Sequence, residues 1–170
     1  MISRRSLLVP AVAGPLAACG FEPLYGRFDN RSLTDELARI KIDMIPNRSG
    51  QLLRNFLLDG LSPRGQPDRP AHVLTVELIE PRPQDLGVAR DDSIVRYGYA
   101  TTAVFKLADS SGRVVLQGQA SSVSSYEVTN SEFATVAGRN NARDRVLEEI
   151  AHDVKAQLAA HFRTRRPPPR

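Results

Sequence analysis

The chain has 170 residues, the size of one typical domain, and its 23 Lys and Arg against 19 Asp and Glu give a pI of about 9.6. Two of those basic residues lie in the first five positions and four in the last eight, both stretches without an acid, so 17 basic residues face 19 acidic ones from Cys19 to Phe162. A nearly neutral body excludes a nucleic-acid binder of the ordinary kind, which gathers its cations on the folded surface to meet phosphates. The lone cysteine, Cys19, excludes an intramolecular disulfide.

Arg4 and Arg5 form a charged start, and residues 6–17 a short apolar run interrupted by Pro10, Gly14 and Pro15. The run is too short to span a bilayer, which takes ~20 apolar residues, and reads as the core of a signal peptide with small residues at its cleavage site. Leu16-Ala17-Ala18-Cys19 resembles the lipobox of bacterial lipoproteins, whose cysteine becomes the acylated first residue. On that reading, 1–18 is the leader and the mature chain starts at a lipid-modified Cys19. Ser3-Arg4-Arg5-Ser6-Leu7-Leu8 also resembles a twin-arginine export signal, so the export route stays open between that and the general one.

Residues 21–28 hold aromatics, Pro and Gly without a period and read as an extended tether. Residues 32–40 have only Leu33, Leu37 and Ile40 as apolar marks, enough for a turn or two of helix. The alternation of Ile40, Ile42 and Met44 with Lys41 and Asp43 predicts a strand over 39–45. Pro46 to Gly50 is turn chemistry, with Ser49 as a candidate cap. Leu53, Phe56, Leu57 and Leu61 then mark an amphipathic helix over 51–61, with Gly60 at its expected C-terminal end. A loop rich in proline covers 62–70.

Residues 72–80 alternate as a second strand, and 84–92 read as a polar loop. From 94 to 107, Val95, Tyr97, Tyr99, Ala103, Phe105 and Leu107 share one face, with Arg96, Gly98, Thr102 and Lys106 on the other. Asp109 to Gly112 supplies a hairpin connection. Residues 114–128 return with Gln117, Gln119, Ser121 and Ser125 on the face opposite Leu116, Ala120 and Tyr126. These strands are long: 14 residues at ~3.3 Å each reach ~46 Å. The hairpin is therefore expected to project past the covering helices, with bends at Gly98 and Gly118. Residues 131–162 carry an apolar stripe at Val146, Leu147, Ile150, Val154, Leu158 and Phe162, the mark of a long helix. Residues 163–170, four arginines and three prolines, read as a disordered tail with polyproline II character. Helices with one apolar stripe over alternating strands predict an α+β, two-layer fold, a mixed sheet of about four strands with two helices on one face.

No hydrolase elbow, phosphate loop, dinucleotide glycine pattern or zincin motif occurs. Glu149 and His152 have the spacing of a carboxylate-bridged di-iron helix, but such a site requires a second pair and further glutamates on facing helices, and these are missing. The residues thus argue for no enzyme, no metal and no cofactor.

Cys19-Gly20-Phe21 with Pro23-Leu24-Tyr25 close behind, and Val95-Arg96-Tyr97 opening the long hairpin, resemble the LPS-assembly lipoprotein family LptE in its alphaproteobacterial form. The resemblance spans nearly the whole mature chain except the tail. It implies a non-enzymatic partner that sits as a plug inside the outer-membrane β-barrel LptD, on the periplasmic side, and supports barrel assembly and lipopolysaccharide delivery. A barrel lumen is polar, so Gln117, Gln119 and Ser121 become the candidate barrel contacts. Arg96, Lys106 and Arg113 become the candidates to meet lipopolysaccharide, since guanidinium and ammonium groups bind phosphates through charge-assisted hydrogen bonds. Simple solvation of those three cations is the plainer alternative. A lipoprotein auxiliary to a lipid-trafficking ABC transporter is the competing assignment.

Overall fold

The computed structural model describes residues 30–80, 88–91 and 94–164. The leader, Cys19, the tether and residues 165–170 of the tail lie outside them. Along the chain come α1 (Asn30–Leu37), β1 (Ile40–Ile42), α2 (Asn47–Leu61), β2 (His72–Ile79), β3 (Val88–Asp91), β4 (Ile94–Asp109), β5 (Val114–Val128) and α3 (Glu132–Thr164). The arrangement is α+β, a mixed sheet with helices packed on it. β1 runs parallel to β2, and the remaining pairings are antiparallel. β4 organises the sheet: β2 pairs with residues 102–109 and β3 with 94–97 along one edge, while β5 pairs along the other.

One face of the sheet is apolar because alternation places every second side chain there. Rows across β2, β4 and β5 read Leu74, Leu107, Leu116, then Val76, Phe105, Gly118, then Leu78, Ala103, Ala120. Against them lie Leu53, Leu57 and Leu61 of α2 and Val146, Leu147, Ile150, Val154, Leu158 and Phe162 of α3. Each such side chain removed from water contributes about 1.5–3 kcal/mol, which offsets the cost of ordering the chain. Gly118 makes the middle row possible. A Cβ at that position would stand 2.6 Å from Phe105 Cζ, so the missing side chain leaves the space that the phenyl ring fills.

Several boundaries depart from the sequence expectation. The first strand is only Ile40–Ile42, and α1 ends at Leu37, short of Ile40. α2 begins at Asn47, whose φ of 69° is a left-handed value that asparagine tolerates, and Pro46, not Ser49, occupies the cap position without a side-chain bond. Gly60 lies inside the helix, which closes through the Ser62 N–H donating to the Leu58 carbonyl at 2.8 Å. Val88–Asp91, expected within a loop, is a strand, because the part of β4 beyond β2 offers backbone partners that no alternation in the sequence announces. The irregularity in the hairpin falls between Leu107 and Ala108, not at Gly98 or Gly118. α3 continues two residues past the expected end, to Thr164.

The hairpin does not project bare. α3 runs antiparallel to β5 along its length: Arg145 bonds Ser124 and Ser125, Thr135 bonds Thr129, and Gln157 bonds Gln119. At 33 residues and ~1.5 Å per residue the helix spans ~50 Å, enough to match a 15-residue strand.

Candidate interaction surface

The face of the sheet opposite the helices is where the expected contact residues lie. Going outward from the hairpin turn, its cross-strand rows are Thr75, Lys106 and Gln117, then Glu77, Val104 and Gln119, then Ile79, Thr102 and Ser121. Beyond β2 follow Ala100 with Val123, Gly98 with Ser125, and Arg96 with Glu127. Gln117, Gln119 and Ser121 are all exposed there. Two apolar side chains stand out on the same face, Ile79 at 53% exposure and Val123 at 69%. With Ala100, Thr102 and Ser121 they border a shallow depression of about 350 Å³.

The three candidate cations are not brought together. Arg96 and Lys106 share the open face ten residues apart, which at ~3.3 Å per residue is ~33 Å. Arg96 is engaged across the strands by Glu127 at 3.1 Å, in a pair with both partners about half exposed. Lys106 is exposed and stands opposite Gln117. Arg113 belongs to the hairpin turn, where its guanidinium meets Asp109 Oδ2 at 3.1 and 3.3 Å. Asp109 also accepts the Ser111 hydroxyl and the backbone N–H groups of Ser111 and Arg113. The Ser111 hydroxyl, with those N–H groups and the guanidinium, lowers its carboxyl to about 2. Arg113 therefore serves the turn. On the helix-facing side, burial pushes the Tyr99 hydroxyl above its ordinary value while it donates to Glu80 at 3.4 Å. Glu149 and His152 both lie exposed on α3.

Sequence reading missed how the sheet's edges are closed. On the outer edge of β5, Gln157 Nε2 donates to the Gln119 carbonyl at 2.9 Å and Arg145 Nη2 to the Ser125 carbonyl at 3.2 Å. On the free edge of β1, the Gln66 amide accepts from the Ile42 N–H and donates to the Ile42 carbonyl, both at 3.3 Å, as a neighbouring strand would. Unpaired edges invite strand addition. These side chains shield part of the β5 and β1 edges, beside a broad open face. The signal was faint, since an isolated glutamine in a loop or on a helix has no pattern to distinguish it.

No protein-family model and no curated protein matches this chain. Solved structures do share its fold. A protein described as a lipoprotein from Caulobacter crescentus CB15 superposes with a TM-score of 0.68 at 23% identity, covering 80% of this chain and 98% of that one. A minor lipoprotein from Acinetobacter baumannii does so with a TM-score of 0.53 at 16% identity, over 72% of this chain and 93% of that one. Among the described residues no helix is long and apolar enough to cross a membrane. The chain thus has a fold found in bacterial lipoproteins of similar length.

Proposed function

We propose that this chain is a lipoprotein acylated at Cys19, held at the outer membrane, that partners and plugs the LPS-assembly barrel LptD on its periplasmic side and so supports barrel assembly and lipopolysaccharide delivery. The observation that carries the reading is the joining, in one chain, of Leu16-Ala17-Ala18-Cys19 and the Phe-Glu-Pro-Leu-Tyr segment to a fold shared with solved lipoproteins. The open sheet face supports it physically. A polar lumen is best met by a surface of uncharged hydrogen-bonding groups, and Gln117, Gln119, Ser121, Thr102 and Ser125 supply one along the hairpin. Such a partner acts by occupancy and needs no catalytic group. Arg96 and Lys106 keep the role of candidate lipopolysaccharide contacts, and Arg113, committed to Asp109, is the weakest of the three.

Photo-crosslinkers at Gln119 and Ser121, introduced in the native membrane, are expected to capture the barrel protein, and intact mass is expected to show lipid on Cys19. Capture from the outer face of α3 but not from these positions would move the working surface to the helix. An unmodified Cys19 on a water-soluble mature chain would remove the lipoprotein reading altogether. Co-purification with the subunits of an ABC transporter would favour the competing assignment.

A further inference from the structure

The guard that α3 sets on β5 is incomplete. Gln157, Arg145 and Thr135 hold the main chain of Gln119, Ser125 and Thr129 from outside the sheet. Odd-numbered residues of β5 therefore turn their N–H and C=O groups outward, while even-numbered ones pair with β4. Ser121 and Val123 fall between the closures at Gln119 and Ser125. Both are exposed, and among the described residues nothing pairs with their outward backbone groups.

The gap follows from the helix sequence. Positions four apart form one ridge of a helix, and the ridge that follows β5 reads Arg145, Glu149, Asp153, Gln157. Its two ends are donors and close the strand carbonyls beside them. Its two middle members are carboxylates, which have no hydrogen to give a carbonyl. Glu149 is exposed and Asp153 half-buried, and neither forms an ion pair among the described residues. The middle of the edge thus joins open backbone groups to uncompensated negative charge. Beyond Ser125, a groove of about 520 Å³ bordered by Glu127, Gly138 and Asn141 leaves room for a chain running along the edge to continue.

We propose that the β5 edge at residues 121–123 takes an extended segment of another protein as an added strand, and that this segment carries a lysine or arginine opposite Ser122. Main-chain hydrogen bonds to Ser121 and Val123 hold such a segment whatever its sequence, and its alternate side chains select it. The residue opposite Ser122 points to the side of the sheet where Ala120 is buried, and so towards the α3 ridge, where its cation meets Glu149 and Asp153. A second copy of this chain is the wrong occupant, because pairing two β5 edges brings the Glu149 and Asp153 carboxylates of both copies together. The added strand extends the sheet sideways and leaves the open face of Gln117 and Gln119 uncovered, so this contact is separate from the one proposed for the barrel.

The test is an NMR titration of the mature chain carrying Cys19→Ser, to keep lipid off, with capped Val-Lys-Val-Lys-Val as the probe and Val-Glu-Val-Glu-Val as its control. At millimolar concentration the lysine peptide is expected to shift the Ser121 and Val123 amide resonances and slow their hydrogen exchange, and the glutamate peptide to do neither. Glu149→Gln with Asp153→Asn is expected to weaken the lysine peptide ~5-fold. Val123→Pro removes an outward N–H without touching the ladder to β4, and is expected to abolish binding. Should that variant fail to fold, the carboxylate pair on the helix surface decides. Unprotected Ser121 and Val123 amides, equal binding of the two peptides, or unchanged binding by the carboxylate variant would overturn the proposal. So would a dimer of the chain alone that Val123→Pro dissociates, which would give the edge to a second copy.

Discussion

Gly118→Ala is the sharpest probe of how the hairpin is built. The added methyl carbon would stand 2.6 Å from Phe105 Cζ, 3.0 Å from Phe105 Cε1 and 2.6 Å from Gln157 Oε1. The glutamine is a flexible end and can swing aside, at the loss of its 2.9 Å bond to the Gln119 carbonyl. The phenyl ring cannot, since it is fully buried between Val76, Ala103 and the helices. Overpacking of this kind costs about 1–3 kcal/mol, and the lost hydrogen bond about 0.5–1.5 kcal/mol. Replacing glycine in a strand returns about 0.5–1 kcal/mol through the unfolded state. The balance is a destabilisation of ~0.5–4 kcal/mol, centred near ~2, readable as a lower urea midpoint at unchanged slope in the Cys19→Ser chain. Phe105→Leu in the same background shortens the ring that the methyl strikes, so the double variant should be more stable than the sum of the single changes by at least ~0.5 kcal/mol. A stabilising Gly118→Ala, or additive single changes, would refute the claim that the glycine exists to seat the ring.

Leu147→Ala and Leu158→Ala, both at 0% exposure, should each cost ~2–5 kcal/mol in the same unfolding assay, whereas Phe133→Ser, at 85% exposure, should stay within ~0.5 kcal/mol. Gly50→Ala would bring a methyl carbon to 2.9 Å from the Ile45 carbonyl oxygen, a backbone atom with nowhere to go, and should cost ~1–3 kcal/mol. The Asp109 carboxyl, held at about 2 against an ordinary 3.8, contributes stability above pH ~4 that is lost as pH falls towards ~2; Asp109→Asn should flatten that acid limb of a stability-against-pH profile. Arg96→Gln should change stability by less than ~1 kcal/mol, because the pair with Glu127 is about half exposed on both sides.

What was legible in the chain follows the strength of its periods. Leu74, Val76, Phe105 and Leu107 lie on the buried face as alternation required, and the stripe from Val146 to Phe162 faces the sheet. Short elements were harder. β1 has three residues, and its limits depend on where β2 offers partners, while β3 is made by backbone pairing to β4 with no side-chain pattern of its own. Gly60 looked like a helix end by local rule, yet the apolar contact of Leu61 carries the helix through it. Glycine weakens strands, so the sequence by itself suggests bends at Gly98 and Gly118. Gly118 instead answers to Phe105, a residue 13 positions away that only pairing brings opposite it.

The candidate surface was legible in composition but not in arrangement. Alternation alone placed Gln117, Gln119 and Ser121 on one uncovered face, and the structure keeps them there. It could not say that Arg113 would be taken by Asp109, because that depends on the turn's geometry, nor that Arg96 would stand directly opposite Glu127, which depends on register. The same dependence explains why α3 escaped notice as a guard of β5. Arg145 and Gln157 are 12 residues apart on a helix, ~18 Å, and Ser125 and Gln119 are six apart on a strand, ~20 Å. Two periods of different rise coincide only once the helix is laid antiparallel along the strand, and that coincidence closes the β5 edge at Ser125 and Gln119 while the opposite face of the sheet stays uncovered.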